Sequence, residues 1–210
     1  MALMFSPEPA DGTALSANAE ALLERHGARL LALARASIAS RLGDGATMAF
    51  AMQDMPSELK APGAVFVTLT EQGRLRGCVG TPAAWRPLVE DVIDNAAAAA
   101  LEDFRFAPLA AEALGRIAIA LSLLSPPSPL FAGSEAELIA TLVPGRDGLI
   151  LSEGGRKALF LPQVWEQLPE PRDFLGQLRR KAGLGERHWS STLAFQRFTT
   201  ASVAEPGAGH

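Results

Sequence analysis

Two short polar turns decide most of what this chain can fold into. The first, Thr70-Glu71-Gln72-Gly73-Arg74, separates the strand-like run Gly63–Leu69 from a second extended run, Leu75-Arg76-Gly77-Cys78-Val79-Gly80-Thr81-Pro82. The second, Ser152-Glu153-Gly154-Gly155-Arg156-Lys157, separates Leu149-Ile150-Leu151 from Ala158-Leu159-Phe160-Leu161. Connections this short join neighbouring antiparallel strands, because a parallel pair needs a crossover of about a dozen residues. A helix-like run follows each hairpin, Arg86–Leu101 and then Phe174–Ala182. The chain therefore reads as α+β, mostly antiparallel sheet with helices packed outside. Hairpin-then-helix occurs over 64–101 and again over 148–183. No letter-level repeat accompanies it, so the order of elements alone points to an internal duplication.

The other segments fall in around these units. From Ser16 to Leu42, Leu23, Leu30, Leu31, Ala34, Ile38 and Leu42 recur at helical spacings, with Gly27 as a candidate break and Gly43-Asp44-Gly45 as the stop. Met48–Pro62 reads as loop. The run Ala96–Ala100 lets its helix lie close against a sheet. Arg116–Leu124 reads as a strand closed by Ser125-Pro126-Pro127-Ser128-Pro129. Ser134 and Glu137 have the spacing of a capping box. Leu193–Val203 reads as one last strand. The expected organisation is a loose tail over 1–14, a single domain over 15–203 and a second tail over 204–210.

Composition narrows the function classes. Hydrophobic residues make up 48% and charged ones 20%, the balance of a soluble globular protein. The net charge of −4 and the lack of a Lys/Arg run argue against nucleic acid as a partner. The longest apolar run, Ile117–Leu124, is too short to span a membrane as a helix. One cysteine excludes an internal disulfide, and Met1–Pro9 lacks the pattern of a signal peptide, so a cytoplasmic location is expected.

The candidate site lies in the second strand of the first hairpin. Strict alternation puts Arg76, Cys78 and Gly80 on one face and Leu75, Gly77, Val79 and Thr81 on the other. A thiol, a fixed cation and bare backbone suit a small anionic or electrophilic ligand. Cys78 is either a nucleophile, favoured by Arg76 and the following helix start, or a buried small hydrophobe. The Gly80–Thr81 backbone is a candidate oxyanion site. Gly77 and Gly80 either admit a ligand or relieve crowding. Arg105 either anchors an anion or pairs with Asp103 or Glu102. Asn95, on an apolar helix, needs a partner, and the Cys78 loop is a candidate. Of His26, His188 and His210, only His188 is a credible base for Cys78, against a role packing beside Trp189. No metal-ligand spacing occurs, and neither metal nor cofactor is expected. Ser152, Gly154, Gly155 and Arg156 form either a second anion-holding hairpin or a plain turn.

The run Arg76-Gly77-Cys78-Val79-Gly80-Thr81 resembles the signature hexapeptide of the AMMECR domain family, whose prokaryotic members are called AmmeMemoRadiSam system protein A. Further blocks resemble that family in order. They are Asn95-Ala96 with Phe104-Arg105-Phe106-Ala107-Pro108-Leu109, then Leu124-Ser125-Pro126-Pro127, Gly145–Leu151, Leu161-Pro162-Gln163-Val164, and Phe174–Leu184. The resemblance covers roughly residues 22–200. It implies two unequal lobes with a cleft between them, and a Memo-like and a radical-SAM-type protein as companions. It implies no established reaction. Ala120 stands where the family usually has an acid, and Trp165–Pro169 also departs from the pattern. Two functions follow as expectations. One is an enzyme or enzyme-assembly subunit acting on a small polar or anionic substrate, with Cys78 catalytic and Arg76, Gly77, Gly80, Thr81, Asn95 and Arg105 binding. The other is a non-catalytic partner or scaffold for a companion protein. Either acts as a monomer or homodimer.

Overall fold

The structure, a computed structural model, describes residues 12–43 and 50–207, with side chains from Asn18 onward. In chain order it contains α1 (Gly12–Leu42), α2 (Ser57–Lys60), β1 (Pro62–Gly63), β2 (Val65–Glu71), β3 (Arg74–Gly80), β4 (Arg86–Pro87) and α3 (Leu88–Leu101). After these come β5 (Ile117–Leu124), β6 (Ser128–Leu130), α4 (Glu135–Thr141), β7 (Gly148–Glu153), β8 (Arg156–Phe160), α5 (Pro171–Lys181), β9 (Ala194–Phe198) and β10 (Thr200–Ala204). The described residues divide into two compact units. One comprises residues 18–124 and 201–207, the other residues 12–17 and 125–200.

The first unit has a four-stranded sheet in the order β10-β5-β2-β3, with β2 antiparallel to both β3 and β5. Alternation along β2 and β5 sends Val65, Val67, Leu69, Ile117, Ile119, Leu121 and Leu123 to one face. There they join Leu30, Leu31, Ala34 and Ile38 of α1 and Val89, Val92 and Ala96 of α3 in one core. Each fully buried Val, Leu or Ile among them contributes roughly 1.5–3 kcal/mol through burial. The helical spacing seen in the sequence thus identifies the buried stripe of α1. Gly27 does not break that helix. A Cβ there would stand 3.0 Å from a methyl of Val203, so the glycine makes room for β10. Gly43, with φ of +76°, takes the left-handed conformation that closes α1. Asp44 and Gly45 lie outside the described residues.

The first hairpin turns at Gln72 and Gly73, both with positive φ, the geometry that matches strand twist in a two-residue turn. Met48–Pro62, read as loop, contains the single turn of α2 where it is described. α3 starts at Leu88 and not at Arg86. Arg86 and Pro87 pair instead with Pro62 and Gly63, and Pro87 caps the helix from outside.

The second unit has the sheet order β6-β9-β7-β8, all pairs antiparallel. Its core joins Leu138, Leu149, Leu151, Trp165, Phe174, Leu175, Leu178 and Phe195. Trp165 and Phe174 stack with centroids 3.8 Å apart, and the indole N–H donates to the Asp147 carbonyl at 2.7 Å. Ser134 caps α4 as expected, accepting from the Glu137 N–H, while the Glu137 carboxylate accepts from Gly133.

The expected last strand, Leu193–Val203, is two strands in two sheets. The chain turns a corner at Thr199, whose N–H donates to the Ser125 hydroxyl and whose carbonyl accepts the Ser125 N–H. The tail expected over 1–14 is partly helix, since α1 begins at Gly12, and residues 1–11 lie outside the described residues. The expected second tail begins too early. Ala204 ends β10, and Glu205 is anchored by Arg35 and by the Ile119 N–H at 2.9 Å. Residues 208–210 lie outside the described residues.

Candidate functional site

β3 is an edge strand, so half of its backbone groups lack a neighbouring strand. At Cys78 a short segment after α3 supplies what a strand would. The Cys78 N–H donates to Asp103 Oδ2 at 2.8 Å, and Arg105 Nη2 donates to the Cys78 carbonyl at 3.3 Å. Arg105 also holds Asp103 through both carboxylate oxygens, at 2.9 and 2.7 Å. These guanidinium bonds, with the Cys78 N–H adding to them, hold the Asp103 carboxyl well below the usual carboxylate range against the opposing effect of burial. The same pairing raises the Arg105 guanidinium.

The Cys78 side chain is half-buried and lies opposite Thr68, whose hydroxyl donates to the sulfur at 3.4 Å. Ala120 pairs with Thr68 on its other side, so Cys78, Thr68 and Ala120 form one row across three strands. In the next row Phe66 pairs with Gly80 and Ser122, and the Ser122 hydroxyl meets that of Ser202 at 3.0 Å.

The pairing of β3 is interrupted at Arg76. The β2–β3 register pairs Leu69 with Gly77 and Thr70 with Leu75, which leaves Arg76 as the extra residue of a β-bulge. Leu75 therefore stands across from Thr70. Arg76 is half-buried and forms no ion pair among the described residues.

The two glycines relieve crowding. A Cβ on Gly77 would stand 2.0 Å from the Ala99 carbonyl oxygen of α3, and one on Gly80 would stand 2.3 Å from the Phe66 ring. The alanine run expected to bring α3 close to the sheet meets it at Gly77. Thr81 and Asn95 belong to a separate network on the α3 side. The Thr81 hydroxyl donates to Asp91 at 2.6 Å, and the Asn95 amide donates to Thr81 Oγ1 at 3.1 Å and the Val65 carbonyl at 3.2 Å. Asp91, fully buried, also accepts from the Val65 N–H and Arg86 Nε. Asn95 thus holds strand β2 and reaches the Cys78 run at its end, Thr81. The Thr81 N–H donates to the Val65 carbonyl and the Leu88 N–H at the helix start to Ala61.

His26 pairs with Glu58 and His188 with Glu153, each at 2.7 Å, and His210 lies outside the described residues. Among the described residues no cluster of three His, Cys, Asp or Glu could hold a metal ion, and no helix is long and apolar enough to cross a membrane.

A family model described as AMMECR1 matches residues 31–203. The chain belongs to the AMMECR1 family. A relative in Methanothermobacter thermautotrophicus is 36% identical over 159 residues, which span 75% of this chain and 82% of that protein. Another in Thermococcus onnurineus is 38% identical over 187 residues, spanning 84% and 88%. Among solved structures, the uncharacterized protein PH0010 from Pyrococcus horikoshii superposes with a TM-score of 0.77 at 34% identity. The match covers 84% of this chain and 90% of that one.

In this AMMECR1 chain, then, the expected site residues separate into distinct settings. Cys78 and Arg105 meet through the backbone, Thr81 and Asn95 meet on the helix side, and Gly77 and Gly80 serve packing. Asp103 and Thr68, the closest partners of Cys78, were not singled out in the sequence. Asp103 stood there only as the counter-charge of Arg105, and nothing local marks a carboxylate that reaches the edge of a strand 25 residues earlier.

Proposed function

We propose that the chain is a cytoplasmic binding subunit. The surface around Arg76 and Cys78 on strand β3 takes an anionic group from a companion protein, and Cys78 touches that group without attacking it. The observation that carries this reading is Arg76, a half-buried guanidinium in a bulge with no acidic partner among the described residues. A cation set in that way is available to a carboxylate or phosphate. Leu75, next to Arg76 in sequence and 45% exposed, and Phe104, next to Arg105 and 96% exposed, supply apolar contact area.

Several features favour binding over catalysis. A thiol nucleophile works with a base, and both described histidines are engaged by glutamates. The N–H groups considered as an oxyanion site are engaged at Thr81 and at Leu88. Ala120 occupies the cross-strand row of Cys78 and Thr68, the position where the resemblance implies an acid. The resemblance also supplies candidate companions, a Memo-like and a radical-SAM-type protein. The enzymatic reading draws on the Thr68 hydroxyl, which donates to the sulfur.

Calorimetric titration of the purified companions into the full chain tests the proposal. Arg76→Gln is expected to weaken binding about tenfold, the loss of roughly 1.4 kcal/mol, while Cys78→Ser binds like the parent. Unchanged binding by Arg76→Gln sinks the reading. Normal binding by Cys78→Ser with loss of the companions' activity moves the case to catalysis.

A further inference from the structure

The second unit contains a groove of about 370 Å³ at the tip of the β7–β8 hairpin. It is open to solvent over most of its extent, so a ligand there would be held chiefly by polar groups at the surface. Its floor is a cross-strand row in which Ser152 pairs with Lys157 on one side and Ala194 on the other. The turn is Gly154-Gly155, with φ of +54° and +82°, so two successive residues there carry no side chain over the groove. The lining also includes Glu153, Arg156 and Thr192.

The polar groups divide unevenly between those engaged and those free. Glu153, the groove's one carboxylate, accepts from the His188 ring, the Thr192 hydroxyl at 3.0 Å and the Ser190 hydroxyl. These bonds, Ser190 foremost, hold its carboxyl below the ordinary range. Thr192 has therefore spent its proton on Glu153. On the donor side, Lys157 is exposed and forms no ion pair among the described residues. Arg156 uses one guanidinium nitrogen on the Gly183 carbonyl, at 3.1 Å. The Ser152 hydroxyl has no hydrogen-bond partner among the described residues. What remains for a ligand is an ammonium, most of a guanidinium and a hydroxyl, all able to donate.

We propose that this hairpin is a binding site for a small molecule bearing a compact oxyanion, a phosphate or a carboxylate. Lys157 and Arg156 supply the charge and Ser152 a hydrogen bond. The loop 188–192 holds Glu153 so that its negative charge is turned to the protein's own donors. This site is independent of the Arg76–Cys78 surface, and neither stands or falls with the other.

Amide-resolved NMR titration of the full chain with inorganic phosphate, and separately with acetate, tests it. Phosphate is expected to shift the amides of residues 152–157 and 192–194 in a saturable way. Lys157→Gln is expected to weaken that response about tenfold, and the Arg156→Gln/Lys157→Gln pair to abolish it. Matching melting curves would show that both variants are folded. Saturation by phosphate alone assigns a phosphate-type ligand, and saturation by both anions assigns the broader oxyanion class. Absence of saturable shifts in the hairpin, or shifts spread evenly over the exposed arginines and lysines elsewhere, overturns the proposal.

Discussion

At Gly77 a single hydrogen atom decides how close a helix can come. An alanine there would place its methyl 2.0 Å from a backbone oxygen of α3, which cannot rotate away as a side chain would. We expect Gly77→Ala to cost about 3 kcal/mol, at the upper end of ordinary overpacking, read as a lower urea midpoint with unchanged slope. Asp103 carries a different dependence. Its carboxyl sits below its ordinary value in the folded chain, so its contribution is full at neutral pH. That contribution fades as pH falls from about 4 toward the folded value. Asp103→Asn should be less stable than the parent at pH 7 by about 1–3 kcal/mol. The two urea midpoints should converge as the buffer is taken into acid, and parallel curves would show that Asp103 has no such role. Alternation correctly placed Cys78 and Gly80 together in the sequence. It did not reveal the bulge at Arg76, because a bulge is set by the partner strand and leaves no mark on the residue that bulges.

α3 docks through both its apolar stripe and a buried polar seam. Leu88, Val89, Val92 and Ala96 stand at helical spacings that mark that stripe, and the alanine run marks the close approach. Asp91 carries no such mark, since an acid in the first turn of a helix usually needs no explanation beyond the helix dipole. Here it joins Val65, Thr81 and Arg86 at zero exposure. Asp91→Ala would leave the buried Val65 N–H and the Thr81 hydroxyl without their acceptor, and Arg86 with Asp94 alone. A loss of about 3 kcal/mol or more is expected, measured by thermal or urea unfolding. The division of the last strand into β9 and β10 was equally hidden. Leu193–Val203 is extended throughout, and the corner at Thr199 comes from a serine more than seventy residues earlier.

The chain leaves the first unit after Leu124 and returns to it at Ala201, so the second unit is an insert between two strands that are neighbours in one sheet. The returning segment is integral to its unit. Ala201 lies in the core, Val203 fills the space left at Gly27, and Glu205 pairs with Arg35. Replacing residues 126–198 by a short turn should therefore leave a first unit that unfolds in one cooperative transition. A chain that shows no such transition would mean the insert is needed for folding. The antiparallel hairpins that reveal the fold class are local, whereas this interruption is a long-range pairing that no turn announces. It also sets an order of events on the ribosome. Strand β5 emerges well before β10, and its open edge waits while the entire insert is synthesised. A nascent chain stalled anywhere in that interval carries an unfinished sheet with an unpaired strand edge.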